Sequence, residues 1–338
     1  MFFIIPDFNV GGVETAIINL AQRLYKDYDL FFFYKQITTI EFAKELAKYG
    51  ICRNVSAPQE DMQADFLIFC SMWLAKDTEI AFVKPKKKIL WFHAMVPRGG
   101  NKFYDLRFMK NIDYVVGVSD AAVKSIPYYL YKNKMINKIK KINNIVNTKE
   151  IIEKSKEEVK LDLAPDLNIC TVARLSHEKG WHRVRILCKE LEKLNINFKW
   201  FIVGYGYFED QVARIHNLFD DIPEIVWYGG TDNPFPIVKQ MDYSALLSDY
   251  ESWGMVLTEA KILKVSVIAS DFEAAREQIE DNKNGFILPL KVYSSYDRVA
   301  KQLINKKQEF KENLKDFDYE TINKESIKKW KEIFDKED

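Results

Sequence analysis

The sequence predicts an α/β protein of two domains, and three observations carry that expectation. Short apolar runs bounded by polar residues alternate with segments of helical period from Phe2 onward; such alternation builds parallel sheets covered by helices. The same alternation restarts at Asn168, after the charged stretch Lys149–Lys160 and the segment Leu161–Asp166. A chain of 338 residues with 47% hydrophobic content is long enough for two cores. We expect the boundary near residues 150–166. That gives domains at 1–160 and 161–318 and a terminal helical segment at 319–338.

Taken in order, Phe2–Pro6 reads as a buried strand, Asp7–Gly12 as a loop and Val13–Tyr25 as a helix, with Val13, Ile17, Leu20 and Leu24 on one face. Leu30–Tyr34 is a second strand. Gly11-Gly12 stands where the loop enters the helix. Bare amides at a helix start suit an anionic ligand, and they equally suit a tight turn. There is no Gly-x-Gly-x-x-Gly fingerprint of a dehydrogenase. Further strands read at Phe66–Cys70, Lys88–Phe92 and Tyr114–Val118. His93 follows the middle one, at the strand end where parallel sheets bind ligands, although a lone His is more often structural. Ser119 or Asp120 caps the next helix.

In the second half, Asn168–Val172 is a strand, Ala173–Gly180 a loop and Trp181–Leu194 a helix. The loop carries Arg174 and Lys179, which on their own read as two exposed cations. Phe198–Val203 is a strand that ends in Gly204-Tyr-Gly206. Glu224–Tyr228 is another, followed by Gly229-Gly-Thr-Asp-Asn-Pro234. Tyr243–Leu247 and Val265–Ser270 are the next strands. Between them lies Ser248-Asp-Tyr-Glu-Ser-Trp-Gly-Met-Val-Leu-Thr-Glu-Ala260, which reads as turn and then helix. Glu251 stands in the turn and Glu259 in the helix. A carboxylate accepts two hydrogen bonds, so each glutamate can hold sugar hydroxyls, while a helix start favours phosphate. Two solvated glutamates on an ordinary loop and helix are the plainer reading.

Composition narrows the classes. Lys+Arg 50 against Asp+Glu 49 gives a formal net charge of +1, which offers no global case for nucleic acid. Cys52, Cys70, Cys170 and Cys188 are scattered, without Cys-x-x-Cys. They read as reduced thiols rather than disulfides or a zinc site. The first residues carry neither a basic lead nor an apolar run long enough for a signal peptide, and no run is long enough to span a bilayer. A cytoplasmic protein is expected. Two basic tracts, Lys84–Lys88 and Tyr128–Lys141, bear on the location. The second mixes lysines with aromatic and aliphatic residues. It fits a helix lying on the anionic inner face of a membrane, and it also fits a solvated surface helix.

Several of these stretches together resemble glycosyltransferase family 4. They are Gly11-Gly-Val-Glu14, His93, Arg174-Leu-Ser-His-Glu-Lys-Gly180, Gly204-x-Gly206, the loop to Asn233-Pro234 and the Glu251-x7-Glu259 pair, in the family's order. The chain departs from the family at Ala94, at Ser252-Trp253 and at Ala274-Ala275, where glycines are usual. The last departure puts a backbone–phosphate contact at that turn in doubt. The resemblance implies a GT-B fold: two doubly wound Rossmann-like domains facing across a cleft, with a C-terminal helix crossing back to the first. The first domain would bind acceptor and the second the nucleotide sugar. It implies a retaining transfer of a hexose-type sugar from a nucleoside diphosphate, UDP by expectation, to a glycan or lipid-linked acceptor in cell-surface polysaccharide synthesis. His93, Arg174, Lys179 and Glu251 would be the catalytic residues. Gly11, Gly12, Arg174, Lys179, Gly204, Asn233, Pro234, Glu251, Trp253, Gly254, Met255 and Glu259 would contact the donor. Neither cofactor nor metal is implied, because Arg174 and Lys179 carry the countercharge. A sugar-nucleotide 2-epimerase and a non-catalytic GT-B subunit that binds a partner remain alternatives.

Overall fold

The computed structural model describes residues 1–8, 11–37, 40–57, 60–70, 81–93, 112–126 and 138–335. The chain forms two compact units. The first comprises Met1–Val146 with Glu320–Asp338, and the second comprises Asn147–Tyr319. The division therefore falls at Val146/Asn147, earlier than the expected 160/161. The reason is packing. The helix Thr148–Lys154, which holds the first half of the charged stretch Lys149–Lys160, contacts Phe235–Val238 and Met255–Ile262, both in the second unit.

In the first unit the strands are β1 (Phe2–Phe8), β2 (Phe31–Ile37), β3 (Ile51–Asn54), β4 (Met62–Phe69), β5 (Val83–Phe92), β6 (Tyr114–Gly117) and β7 (Ile139–Lys141). They form a sheet in the order β3-β2-β1-β4-β5-β6-β7, parallel throughout. Strands β3 and β7 were not foreseen. β3 alternates exposed and half-buried residues, and β7 is three residues long, so neither has the apolar run that marks an inner strand. Helix α1 (Gly12–Leu24) buries Ala16, Ile17, Leu20 and Leu24, the stripe that the helical period requires.

The second unit has six parallel strands: β8 (Leu167–Val172), β9 (Phe198–Val203), β10 (Ile225–Gly229), β11 (Tyr243–Leu246), β12 (Ser266–Ser270) and β13 (Gly285–Leu288). Their order is β10-β9-β8-β11-β12-β13. Its core joins Ile169, Trp200 and Ile268 of the sheet to Val184, Leu187 and Leu191 of α2 (Trp181–Lys193) and to Leu303 and Phe310 of Tyr296–Asn313. Both sheets are doubly wound. The strand order reverses between β1 and β4 and between β8 and β11, and the loops after such neighbouring strands diverge to leave a crevice.

The last helix, α3 (Glu320–Phe334), belongs to the first unit. Its Trp330 meets Trp91 edge-on, with ring centres 5.3 Å apart, and Phe334 lies 4.9 Å from Phe66. Buried Asn323 on α3 makes paired bonds to the main chain of one residue: its Oδ1 accepts from Val146 N at 2.9 Å, and its Nδ2 donates to Val146 O at 2.7 Å. Asn19 on α1 donates to Ile145 O at 2.9 Å. The chain leaving the first unit is thus gripped by two side-chain amides. Asn323→Leu strands both Val146 groups in a buried place. It should lower the unfolding free energy by about 2 kcal/mol or more, read by denaturant titration.

Candidate functional site

The second unit gathers most of the expected residues around its switch point. The chain leaving β8 carries Arg174 and Lys179, and the chain leaving the adjacent β11 carries Glu251. Lys179 Nζ meets Glu251 Oε1 at 2.8 Å, and Ser248 Oγ donates to the same oxygen at 2.8 Å. The two side chains are 14% and 18% exposed, so the pair is sheltered from solvent yet reachable. Arg174 is more open: its Nη2 lies 3.9 Å from Glu178 Oε1. Asp249 N donates to Glu178 O at 2.8 Å, which ties the two loops together by main chain.

Local backbone geometry explains this closeness. Lys179 ends a single 3-10 turn, His177–Lys179, and Gly180 follows with φ +68 before α2 begins. A Cβ on Gly180 would lie 1.9 Å from Leu247 O, so only glycine lets the loop after β8 sit against the end of β11. Gly204 has the same kind of constraint: φ is +152 and a Cβ would lie 1.9 Å from Ala173 O.

Behind the pair stands Arg183, which is 4% exposed. Its Nη1 donates to Leu247 O at 2.9 Å, its Nη2 to Asp249 Oδ1 at 2.7 Å, and its Nε to Leu290 O at 3.3 Å. One guanidinium from α2 therefore clamps the β11 loop. Sequence reading passed over it, although a signal was present: Arg183 shares a stripe with Leu187 and Leu191, at i, i+4 and i+8, where an unpaired charge would not be buried.

Gly254, with φ +83, precedes helix α4 (Met255–Ile262) and, as its N-cap, brings no side chain to its first turn. The start of α4, with its partial positive charge, thus lies directly after the turn that carries Glu251. The helix begins at Met255, because Gly254 breaks the preceding turn. Glu259 lies on α4 and is half-buried by surface area. It is nonetheless enclosed closely enough that burial pushes its carboxyl up to about 7. Trp253 is buried, and its indole N–H donates to Thr258 Oγ1 at 3.0 Å.

Asn233 and Pro234 stand apart from this cluster in their bonding. Asn233 Nδ2 donates to Lys154 O at 3.0 Å and its Oδ1 accepts from Phe235 N at 3.3 Å, so its side chain is committed to the fold. Pro234 opens the short helix Phe235–Val238. Ala274 and Ala275 are fully buried. Arg276 beside them makes two bonds to Asp271, at 2.8 and 2.7 Å.

The remaining candidates belong to the first unit. Gly11 is the N-cap of α1 in extended backbone, and a Cβ there would meet the Glu14 carboxylate at 2.8 Å. Gly12 opens the helix. His93 follows β5, with its ring 4.4 Å from that of Trp91. Burial pushes the imidazole down to about 3, so it is neutral, and Nε2 has no partner among the described residues. A neutral imidazole can hydrogen-bond to a hydroxyl but brings no charge. Ser119 caps its helix by accepting from Ala122 N at 2.9 Å. Of the basic tracts, Lys86 pairs with Asp65 at 2.7 Å, and Lys84 lies 4.0 Å from Asp61. Most of Tyr128–Lys141 lies outside the described residues. Among the described residues no three His, Cys, Asp or Glu side chains gather as a metal site, and no helix is long and apolar enough to cross a membrane.

Residues 151–321 match the family model of glycosyl transferases group 1. The chain belongs to that family. The match covers the whole switch-point cluster, from Arg174 to Glu259. Among curated relatives, the Campylobacter jejuni N-acetylgalactosamine-N,N'-diacetylbacillosaminyl-diphospho-undecaprenol 4-alpha-N-acetylgalactosaminyltransferase is 23% identical over 196 residues, 55% of this chain and 51% of that protein. The amylovoran biosynthesis glycosyltransferase AmsK of Erwinia amylovora is 28% identical over 170 residues, 47% of this chain and 42% of AmsK. The matches thus span about half the length of these relatives or less. The fold as a whole is similar to that of Anabaena Alr3699/HepE, solved in complex with UDP and glucose. The TM-score is 0.79 at 16% identity, covering 98% of this chain and 99% of that one. The GT-B fold class is thereby established for this member of the glycosyl transferases group 1 family.

The raised pKa of Glu259 has a testable sign. Its carboxyl ionises near 4.5 when unfolded and near 7 when folded. Stability is therefore full below 4.5 and falls as pH rises to about 7, where ionisation in the enclosed site has its cost. Glu259→Gln should flatten this slope and stand about 2–3 kcal/mol above the parent at pH 7.5 relative to pH 4.5. Unfolding titrations at the two pH values measure it.

Proposed function

We propose that the protein is a retaining glycosyltransferase that moves a hexose-type sugar from a UDP-sugar to a glycan or lipid-linked acceptor in cell-surface polysaccharide synthesis. The observation that carries the reading is the Lys179–Glu251 pair at the β8/β11 switch point, in the turn that leads into the start of α4. As the glycosidic bond breaks, negative charge develops on the departing diphosphate. Lys179, Arg174 and the amides at Met255 supply fixed positive groups there, which is the electrostatic help such a reaction needs. With that countercharge in place, no metal and no cofactor are required. Glu259 accepts from the ribose hydroxyls and Glu251 from the sugar. The neutral His93, Gly11 and Gly12 serve from the acceptor-binding first domain. The backbone around Gly204, Asn233 and Pro234 approaches the base.

The relatives support the class of substrate. The Campylobacter protein transfers N-acetylgalactosamine to a diphospho-undecaprenol-linked sugar, AmsK serves amylovoran biosynthesis, and the HepE structure holds UDP and glucose. No side chain in the cluster is an evident nucleophile. We therefore favour displacement from the front face, with the leaving phosphate taking the acceptor proton. A peripheral contact with the inner face of the membrane would bring the enzyme to a lipid-linked acceptor.

A screen of UDP-, GDP- and ADP-sugars with and without acceptor tests the reading. Transfer from a UDP-sugar, insensitive to EDTA, is the expected result. Lys179→Ala and Glu259→Ala should each lower it about tenfold or more, a loss of about 1.4 kcal/mol, while the fold persists. Donor turnover without acceptor would point instead to an epimerase. Failure of every nucleotide to raise the melting temperature would point to a non-catalytic subunit.

A further inference from the structure

The Glu251–Gly254 turn rests on a buried polar lattice organised around one lysine. Lys261 on α4 is 4% exposed, and among the described residues no carboxylate pairs with it. Its ammonium donates to Gln278 O at 2.6 Å and lies 4.8 Å from the centre of the Phe317 ring. Burial pushes its pKa down to about 8. The Gln278 side chain, 6% exposed as a residue, faces the turn. Its Nε2 donates to Trp253 O, and its Oε1 accepts from Thr258 Oγ1 at 2.7 Å. The Thr258 hydroxyl in turn accepts the Trp253 indole N–H at 3.0 Å. Trp253 is thus held at its carbonyl and at its ring by two side chains that bond to each other.

Trp253 lies two residues after Glu251 and two before the first residue of α4. Fixing its peptide plane and ring therefore fixes both the acidic turn and the helix amides. Apolar side chains filling the same space would be no less stable, since buried polar groups return little net energy. What the lattice adds is direction: the Gln278 amide fixes the Trp253 carbonyl, Thr258 fixes the indole, and Lys261 fixes the main chain of Gln278. None of these residues is among those expected to touch a substrate, apart from Trp253 itself.

We propose that Lys261 and Gln278 are positioning residues for donor binding: they orient the Trp253 peptide, and through it Glu251 and the leading amides of α4. This rests on the donor-site reading above. Lys261 holds the main chain of Gln278, and Gln278 holds the turn. The loss of either should loosen the turn without unfolding the unit.

The test uses the full chain with Gln278→Met and Lys261→Met, and with the milder Thr258→Val in case either of these fails to fold. Amide hydrogen exchange of peptides covering 248–260 is measured in the ligand-free protein, and UDP affinity is measured by calorimetry. The expected result is cooperative unfolding, faster exchange confined to 248–260 and UDP affinity about tenfold weaker. Gln278→Met combined with Glu251→Gln should cost less than the sum of the two. Unchanged exchange across 248–260 in folded variants would overturn the proposal. So would a lowered melting temperature with parental UDP affinity, the mark of a merely structural role. If the parent binds no nucleoside diphosphate, the donor-site reading fails and so does the functional part of this proposal; the exchange data still decide whether the lattice holds the turn.

Discussion

The ion pair between Lys179 and Glu251 is the contact on which the arrangement of the second unit's site depends. Two opposite charges 2.8 Å apart and mostly sheltered hold their loops more firmly than a surface pair would, because each would be left uncompensated if the other withdrew. Their loops come from adjacent strands on either side of the sheet's reversal. Neither loop needs to be long to meet the other there, since the switch point already places both strand ends at one crevice.

Behind that pair the chain solves a packing problem with one glycine and one arginine. Gly180 allows α2 to begin against the carbonyl of Leu247, a distance that any Cβ would forbid. Arg183, one turn later, gives that carbonyl and Asp249 their donors. The buried guanidinium is tolerated because it bonds to two carbonyls and a carboxylate. The loop with Arg174 and Lys179 and the turn with Glu251 are thereby held as one body within the unit. On the other side of the turn, Thr258 and Gln278 perform the same service for Trp253.

The two units contribute different chemistry. The second concentrates charge: cations on the β8 loop and carboxylates on the β11 turn and α4. The first offers glycine-opened backbone at α1 and a neutral, half-buried His93. Concentrating charge in an enclosed place has a cost. The carboxyl of Glu259 illustrates the cost: it is enclosed enough to resist ionisation near neutral pH, and hydrogen bonds from a diol would favour its charged form.

The sequence by itself determined the α/β class, the inner strands of both sheets and the helices α1 and α2. Those elements announce themselves by apolar runs and by a 3.6-residue stripe, which are local properties of the chain. It pointed to Arg174, Lys179, Glu251 and Glu259 only through the resemblance of their motifs to glycosyltransferase family 4, because charged residues beside strand ends read by themselves as solvated. Only the tertiary structure decided the edge strands β3 and β7, whose side chains are too exposed to leave a pattern, and the place where the first unit ends, which depends on what Thr148–Lys154 packs against. Tertiary structure alone also joined Lys179 to Glu251 and revealed Arg183, Lys261 and Gln278. Their partners lie 17 to 107 residues away along the chain, and a hydrogen bond over that distance exists only once the fold has brought both ends together.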